Sequence, residues 1–290
     1  MRSRIVPALG TLIGMAALLP APGTAQPAGR ELRAVVFDAS LPFLQKQGDT
    51  YEGLAVDVLK AIQDEFGASG LRFLPATSVD DGLQAITSGR ADIACGVAFS
   101  WERSLRVLYT LPFAIGGTRV LAPPGVDGTP DSLNGRTVGV VENSAAAQLM
   151  ASVVPGARLK TFRTPAEALA ALRENRVPIL AGSSLWLASN RSGSGRELVP
   201  AIPYGRTGIG CMVSQSNPRL LTAGNLAIAQ MMQAYVDGDP GSREMVDRWV
   251  GPSSAVNLTE EQISGFYSLI LTTTAEISTT VTGPDSQGSP

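Results

Sequence analysis

Apolar positions along the chain follow two periods. Leu32–Phe37 is a β-branched apolar run and predicts a first strand. Between Gly53 and Phe66, the residues Leu54, Val58, Ala61, Ile62 and Phe66 recur at helical spacing, and Gly67 and Gly70 end the helix. Leu71–Leu74 and Ala91–Val97 read as strands. Between them lies a helix whose start, Ser78 followed by Asp81, resembles a capping box. Thr118–Leu121 is extended, stops at Pro123-Pro124, and predicts a crossing between lobes. A second set follows: strand Thr137–Val141, a helix from Ser144 to Val153, and strand Arg158–Phe162. Next come a helix opened by Thr164-Pro165-Ala166-Glu167 and strand Val177–Ala181. Ser100–Arg103 and the Ser/Gly-rich segment Asn190–Gly195 read as loops. Gly208–Val213 predicts a strand that returns to the first lobe, followed by helices over Arg219–Tyr235 and Ser242–Val250. A capping box at Thr259–Gln262 opens a last helix to about Ile277. The polar stretch from Ser278 to Pro290 is expected to be disordered.

One unit occurs twice. Residues 71–96 and 157–182 align without a gap and share Arg72/Arg158, Leu83/Leu169, Ala85/Ala171, Arg90/Arg176, Ile93/Ile179 and Gly96/Gly182. Each reads as strand, capped helix, basic turn, strand and terminal Gly. Two like-built halves with alternating βα units predict an α/β class with two lobes. A ligand cleft is then expected between them, beyond the strand ends.

Composition removes several chemistries. The chain has 290 residues, 44% of them hydrophobic, which is enough for one large or two modest domains. A net charge of −2 without a basic block argues against nucleic acid and against a polybasic membrane face. There is no histidine, so Ser–His–Asp and Cys–His catalysis and His-ligated metal are excluded. Cys95 and Cys211 each sit in an apolar run. Two buried free thiols are the expected state, with a disulfide as the alternative that an exporting route permits.

The N-terminus predicts a signal peptide over residues 1–25. Arg2 and Arg4 form a basic start, Ile5–Leu19 an apolar core, and Gly23-Thr24-Ala25 a cleavage site before Gln26. An exported, periplasmic protein is expected.

Several local patterns, in order, resemble the bacterial extracellular solute-binding proteins of family 3, the amino-acid-binding components of ABC transporters. Phe43 followed by Tyr51-Glu52-Gly53-Leu54-Ala55-Val56-Asp57-Val58 looks like the family's opening. Gly89-Arg90-Ala91-Asp92 looks like its basic turn. Ser100-Trp101-Glu102-Arg103 with Leu111-Pro112-Phe113 looks like its ligand loop. Val246-Asp247-Arg248-Trp249-Val250-Gly251 looks like its terminal motif. The resemblance spans residues 31–251. It implies a type II periplasmic-binding-protein fold, each lobe a βαβ sheet flanked by helices, with the ligand cleft between them. Lobe one would comprise 31–115 plus 206–280, lobe two 116–205, and 281–290 a disordered tail.

The resemblance also implies site residues. Arg103 would clamp a ligand carboxylate, since a planar guanidinium matches it bidentately. Gly96 would present backbone near the ligand. Ala98 stands where the family usually has Ser or Thr. Phe43 is a candidate apolar wall, as is Phe37, whose stronger reading is core. Glu142, Asn143 and Ser144 precede a helix N-terminus that favours an anion, with Ser144 both contact and cap. After Gly182 the family commonly carries Asp, which pairs with the α-ammonium; here Ser183 and Ser184 follow. A hydroxyl supplies no charge, so the expectation moves toward a carboxylate without an ammonium, with Glu142 the candidate replacement acid. The implied function is capture of a small carboxylate-bearing solute, an amino acid or related organic acid, for an ABC permease. It would be non-enzymatic, cofactor-free and monomeric. The alternatives are a sensing receptor module of the same fold, or a cyclohexadienyl dehydratase-like enzyme using Glu142 as general acid.

Overall fold

The computed structural model describes residues 29–37 and 41–281. Its first part runs β1 (Leu32–Phe37), β2 (Gln45–Gln47), β3 (Thr50–Glu52), α1 (Leu54–Phe66), β4 (Leu71–Ala76), α2 (Val79–Thr87), β5 (Ile93–Ala98), α3 (Trp101–Ser104) and β6 (Val107–Tyr109). Next come β7 (Ala114–Ala122), α4 (Pro130–Leu133), β8 (Thr137–Val141), α5 (Ala145–Val153), β9 (Arg158–Phe162), α6 (Pro165–Arg173), β10 (Ile179–Ser183) and α7 (Ser184–Asn190). The long β11 (Glu197–Ser214) then leads back to α8 (Pro218–Val236), α9 (Pro240–Val250) and α10 (Glu260–Val281).

The repeat in the sequence is a repeat in the topology. In the first half β1 lies between β4 and β5 and is parallel to both. In the second, β8 lies between β9 and β10 and is again parallel to both. The matched apolar pairs Leu83/Leu169, Ala85/Ala171 and Ile93/Ile179 are all buried. Their shared positions are those at which each α-helix rests on its own three-strand unit. β7 and β11 run antiparallel beside one another and join the two halves into one path, β4-β1-β5-β11-β7-β10-β8-β9, with β6 paired to β11.

Burial follows the strand period. In β7, Val120 and Ala122 join one apolar cluster while Leu121 joins another. In β10, Ile179 and Ala181 divide from Leu180 in the same way. Successive side chains point to opposite faces, so this half of the sheet is covered on both sides. A separate and larger cluster packs β1, β5, α1, α8 and Tyr267 of α10. The result is a two-lobed α/β molecule in which the C-terminal ends of β5 and β10 face a common cleft.

Side chains set the helix starts. Ser78, Ser144 and Thr164 each accept a hydrogen bond from the amide three residues on, the expected capping geometry. Pro42 and Phe43 supply the carbonyls that accept from Leu54 and Ala55 at the start of α1, which fixes the loop carrying Phe43.

Four expectations are corrected. Ser100–Arg103 is a capped helical turn rather than a loop, because the Ser100 hydroxyl accepts from the Arg103 amide. Helix α7 fills the stretch before the Asn190–Gly195 loop, and β11 begins well before Gly208. Cys95 and Cys211 are disulfide-bonded, not free, because β5 and β11 set them opposite each other in register. The last helix runs past Ser278 to Val281. The expected tail beyond it and the signal peptide lie outside the described residues.

Candidate functional site

Both repeat-terminal glycines border the same cavity. It has a volume of about 190 Å3 and lies at the C-terminal ends of β5, β8 and β10, where α/β folds receive ligands. Gly96 has φ 81°, a conformation that favours glycine. A Cβ on Gly182 would stand 2.6 Å from the Trp186 ring. Glycine at the first position permits the turn of the strand end, and at the second it lets the indole approach the backbone closely.

Six of the residues expected from sequence line this cavity together: Phe43, Gly96, Ala98, Arg103, Ser144 and Ser183. Phe43 is buried and meets Phe113 edge-on at 6.1 Å between ring centroids. The Ala98 carbonyl accepts from the Tyr109 hydroxyl at 3.4 Å. The remaining two, Glu142 and Asn143, border an adjoining outer cavity of about 370 Å3, together with Phe37 and Asp80. Glu142 is exposed and does not line the inner cavity.

Arg103 is only 7% exposed. Its Nη2 donates to the Asn143 carbonyl at 3.0 Å, a bond between the two lobes. Asn143 presents that carbonyl from a left-handed backbone conformation, φ 55°. Burial raises the Tyr109 phenol above its ordinary pKa, while the neighbouring Arg103 charge pulls it down. Asp80, Glu102 and Arg106 share a separate pocket of about 230 Å3 with Arg103. Among the described residues, no carboxylate forms an ion pair with Arg103.

From the second lobe, the N-terminus of α5 faces the same space through Ser144, Ala145 and Ala146. The Ser144 hydroxyl is already committed. It donates to the Val141 carbonyl at 2.6 Å and accepts from the Ala147 amide at 3.1 Å. Its residue therefore serves as cap and lining, and the attraction for an anion comes from the first amides of the helix. Ser183 differs. Its Oγ is buried and has no hydrogen-bond partner, whereas Ser184 Oγ accepts from the Gly117 amide at 3.3 Å.

Trp186, Thr118, Thr207 and Ile209 also line the cavity, and sequence reading did not single them out. Trp186 sits three residues after Ser183 on a helix that lacks a side-chain cap at its start, so no start signal marked it. A larger groove of about 670 Å3 lies at the N-terminal ends of β1 and β5, bordered by Arg30, Glu65, Asp92 and Arg219. It shares no residue with the cleft.

Among the described residues, no group of three or more His, Cys, Asp or Glu could hold a metal ion. The inner cavity thus offers a buried cation and a helix N-terminus beside an apolar space. That arrangement can hold an anion with an apolar body.

Known proteins resemble the chain in sequence and in shape. The virulence sensor protein BvgS of Bordetella pertussis is 27% identical over 225 residues, covering 75% of this chain, and that of Bordetella bronchiseptica is 23% identical over 72% of it. The chain spans less than a fifth of the length of these relatives, 17% and 18%. An ancestral arginine-binding protein bound to arginine superposes with TM-score 0.68 at 24% identity, over 77% of this chain and 100% of that one. An ancestral amino-acid-binding protein that is a precursor of cyclohexadienyl dehydratase superposes with TM-score 0.66 at 24% identity, over 76% of this chain and 94% of that one. The family model of the bacterial extracellular solute-binding proteins, family 3, matches residues 32–250, and the chain belongs to that family.

Proposed function

We propose that this protein is an exported binding protein that captures a small carboxylate-bearing solute between two lobes, 31–115 with 206–280 and 116–205, and delivers it as a monomer to an ABC importer. The observation that carries this reading is Arg103. It is a buried guanidinium bordering the inner cavity, with no carboxylate paired to it among the described residues. A charge held out of water needs a counter-charge, and a ligand carboxylate supplies one. The α5 N-terminus across the cleft adds to the same preference. The disulfide is in keeping with an oxidising compartment, and no helix among the described residues is long and apolar enough to cross a membrane.

A second reading, a sensing module, is favoured by the sequence similarity to BvgS. Ligand capture is the same in both, and the readings part at the partner. A dehydratase-like activity has less support, since Glu142, the expected general acid, borders the outer cavity rather than the space beside Gly182 and Ser183.

Thermal-shift titration against amino acids, oxo acids and dicarboxylates tests the reading, because a ligand that binds only the folded state raises the melting point. Saturable stabilisation by a carboxylate, shifted to at least tenfold higher ligand concentration in Arg103→Ala and without turnover of prephenate or arogenate, is the expected result. Stabilisation at the same ligand concentrations in Arg103→Ala would remove the assignment of the site.

A further inference from the structure

The inner cavity is lined by one cation, by no acidic residue among those described, and by two residues whose hydroxyls make no hydrogen bond, Thr118 and Ser183, of which Ser183 Oγ alone is fully buried. Ser183 Oγ is the sole buried side-chain polar atom without a hydrogen-bond partner among the described residues. Three nearby hydroxyls are spoken for: Ser144 Oγ caps α5, Ser184 Oγ accepts from Gly117, and Thr207 Oγ1 donates to the Phe99 carbonyl at 3.4 Å. A buried hydroxyl left unpaired is costly, and an occupant with a polar atom at that point removes the cost.

An α-ammonium is the wrong atom for this place. It brings three donors and a second positive charge into a low-dielectric space that already holds Arg103. Among the described residues, Asp80, Glu102 and Glu142 border the outer pockets and not this cavity. Neutral hydroxyls and carbonyls accept hydrogen bonds but bring no counter-charge. An oxygen at C2 of the ligand is different, because it accepts the hydrogen bond that the Ser183 hydroxyl has to donate and adds no charge.

Apart from Thr118, Ser144 and Thr207 the side chains around the rest of the space are apolar, among them Phe43, Val97, Val141, Trp186 and Ile209. At about 190 Å3 the cavity is somewhat larger than the roughly 150 Å3 apolar cavity known to hold benzene. A ligand of about six to nine non-hydrogen atoms fits that volume.

We infer that the cleft selects 2-oxo or 2-hydroxy monocarboxylates with a short apolar tail over the matching amino acids, with Arg103 on the carboxylate and Ser183 Oγ donating to the C2 oxygen. This rests on the reading of the cleft as a carboxylate site.

Calorimetric titration of the purified protein with three acids of one skeleton isolates the C2 substituent: 4-methyl-2-oxopentanoate, 4-methylpentanoate and leucine. The same comparison with pyruvate, propanoate and alanine varies the tail. The oxo acid is expected to bind at least tenfold more tightly than the amino acid in whichever series binds. Ser183→Ala is expected to lower oxo-acid affinity about fivefold to tenfold. It should leave the unsubstituted acid unchanged and the melting point of the unliganded protein unchanged or raised. A structural hydroxyl would lower that melting point, so the variant separates the two roles. Leucine or alanine binding as tightly as its oxo acid, with Arg103 dependence intact, would overturn this inference and leave the carboxylate site standing. Ser183→Ala with an unaltered preference for the oxo acid would also overturn it. Failure of all six compounds to bind would remove both.

Discussion

Arg103 Nη2 donates to the main-chain carbonyl of Asn143 at 3.0 Å, so the residue assigned to the ligand carboxylate also joins the lobes. The guanidinium has further donors, because one fork carries five N–H groups. A ligand can thus occupy one edge of the fork while Asn143 keeps the other. Arg103→Ala removes a charge-assisted pair and is expected to weaken carboxylate binding by about 10- to 100-fold, corresponding to about 1.5–3 kcal/mol. Arg103→Lys keeps the charge but not the fork, and an intermediate loss is expected. Titration of one oxo acid into the three proteins orders them, and equal affinity for Lys and Ala would count against bidentate geometry.

Asp92 gives the acid limb of stability. Burial alone would raise its carboxyl, but hydrogen bonds from the Arg33 side chain and amide, with the charges of Arg33 and Arg30, outweigh burial and hold it below the usual range. A folded-state pKa below the unfolded value near ~3.9 makes the contribution fully present above that pH. It is lost as pH falls through the lower, folded value. Asp92→Asn is expected to cost on the order of 3 kcal/mol at neutral pH, where Arg33 is left beside an amide. Denaturant melts of both proteins from pH 7 down to pH 3 should show the gap narrowing at the acid end, and a constant gap would show that the carboxylate charge is not what stabilises.

The repeat made most of the fold legible. A 26-residue unit met twice, at 71–96 and 157–182, has the same helical cap, the same apolar positions and the same final Gly, and these features depend on local sequence. Strand-to-strand register does not. Cys95 faces Cys211 because β11 returns from the second lobe beside β5, and neither segment alone encodes that pairing. Helix α7 was illegible for a local reason, since Ser183 makes no side-chain cap. Trp186, which closes one side of the cavity, was missed with it. Glu142 lies three positions from the first helical residue of α5, yet the turn through Asn143 at φ 55° leaves it exposed at the outer cavity. Ser183 was legible as a departure from the family; that its hydroxyl is buried and unpartnered required the packed structure.

Two family-like motifs meet in space. The indole N–H of Trp249 donates to Asp57 Oδ2 at 2.8 Å across 192 positions of sequence, tying α9 to α1. Lys60 also reaches Asp57, at 3.3 Å, but that lysine is 60% exposed and contributes little. Trp249→Phe keeps most of the apolar body and leaves Asp57 without its partly buried donor. A loss of about 1–3 kcal/mol is expected, with ligand affinity unchanged. A melting curve matching the native protein would mean that water replaces the indole without cost.

The disulfide closes a long span. Cys95 and Cys211 lie 116 positions apart and are both fully buried, so the bond shortens the unfolded chain across the whole second lobe. In the chain-entropy account a closed span of about 100 residues is worth about 4–5 kcal/mol, and measured bridges give about 2–4. Cys95 also precedes Gly96, whose backbone borders the ligand cavity, so the cross-link fixes the end of β5 against β11. The Cys95→Ala/Cys211→Ala double variant is expected to lose about 2–4 kcal/mol in denaturant unfolding. It should also bind its carboxylate ligand more weakly, because β5 is no longer held to β11 beside the cleft. Loss of stability with unchanged affinity would confine the bridge to folding, whereas unchanged stability would mean that the packed β5–β11 ladder suffices without it.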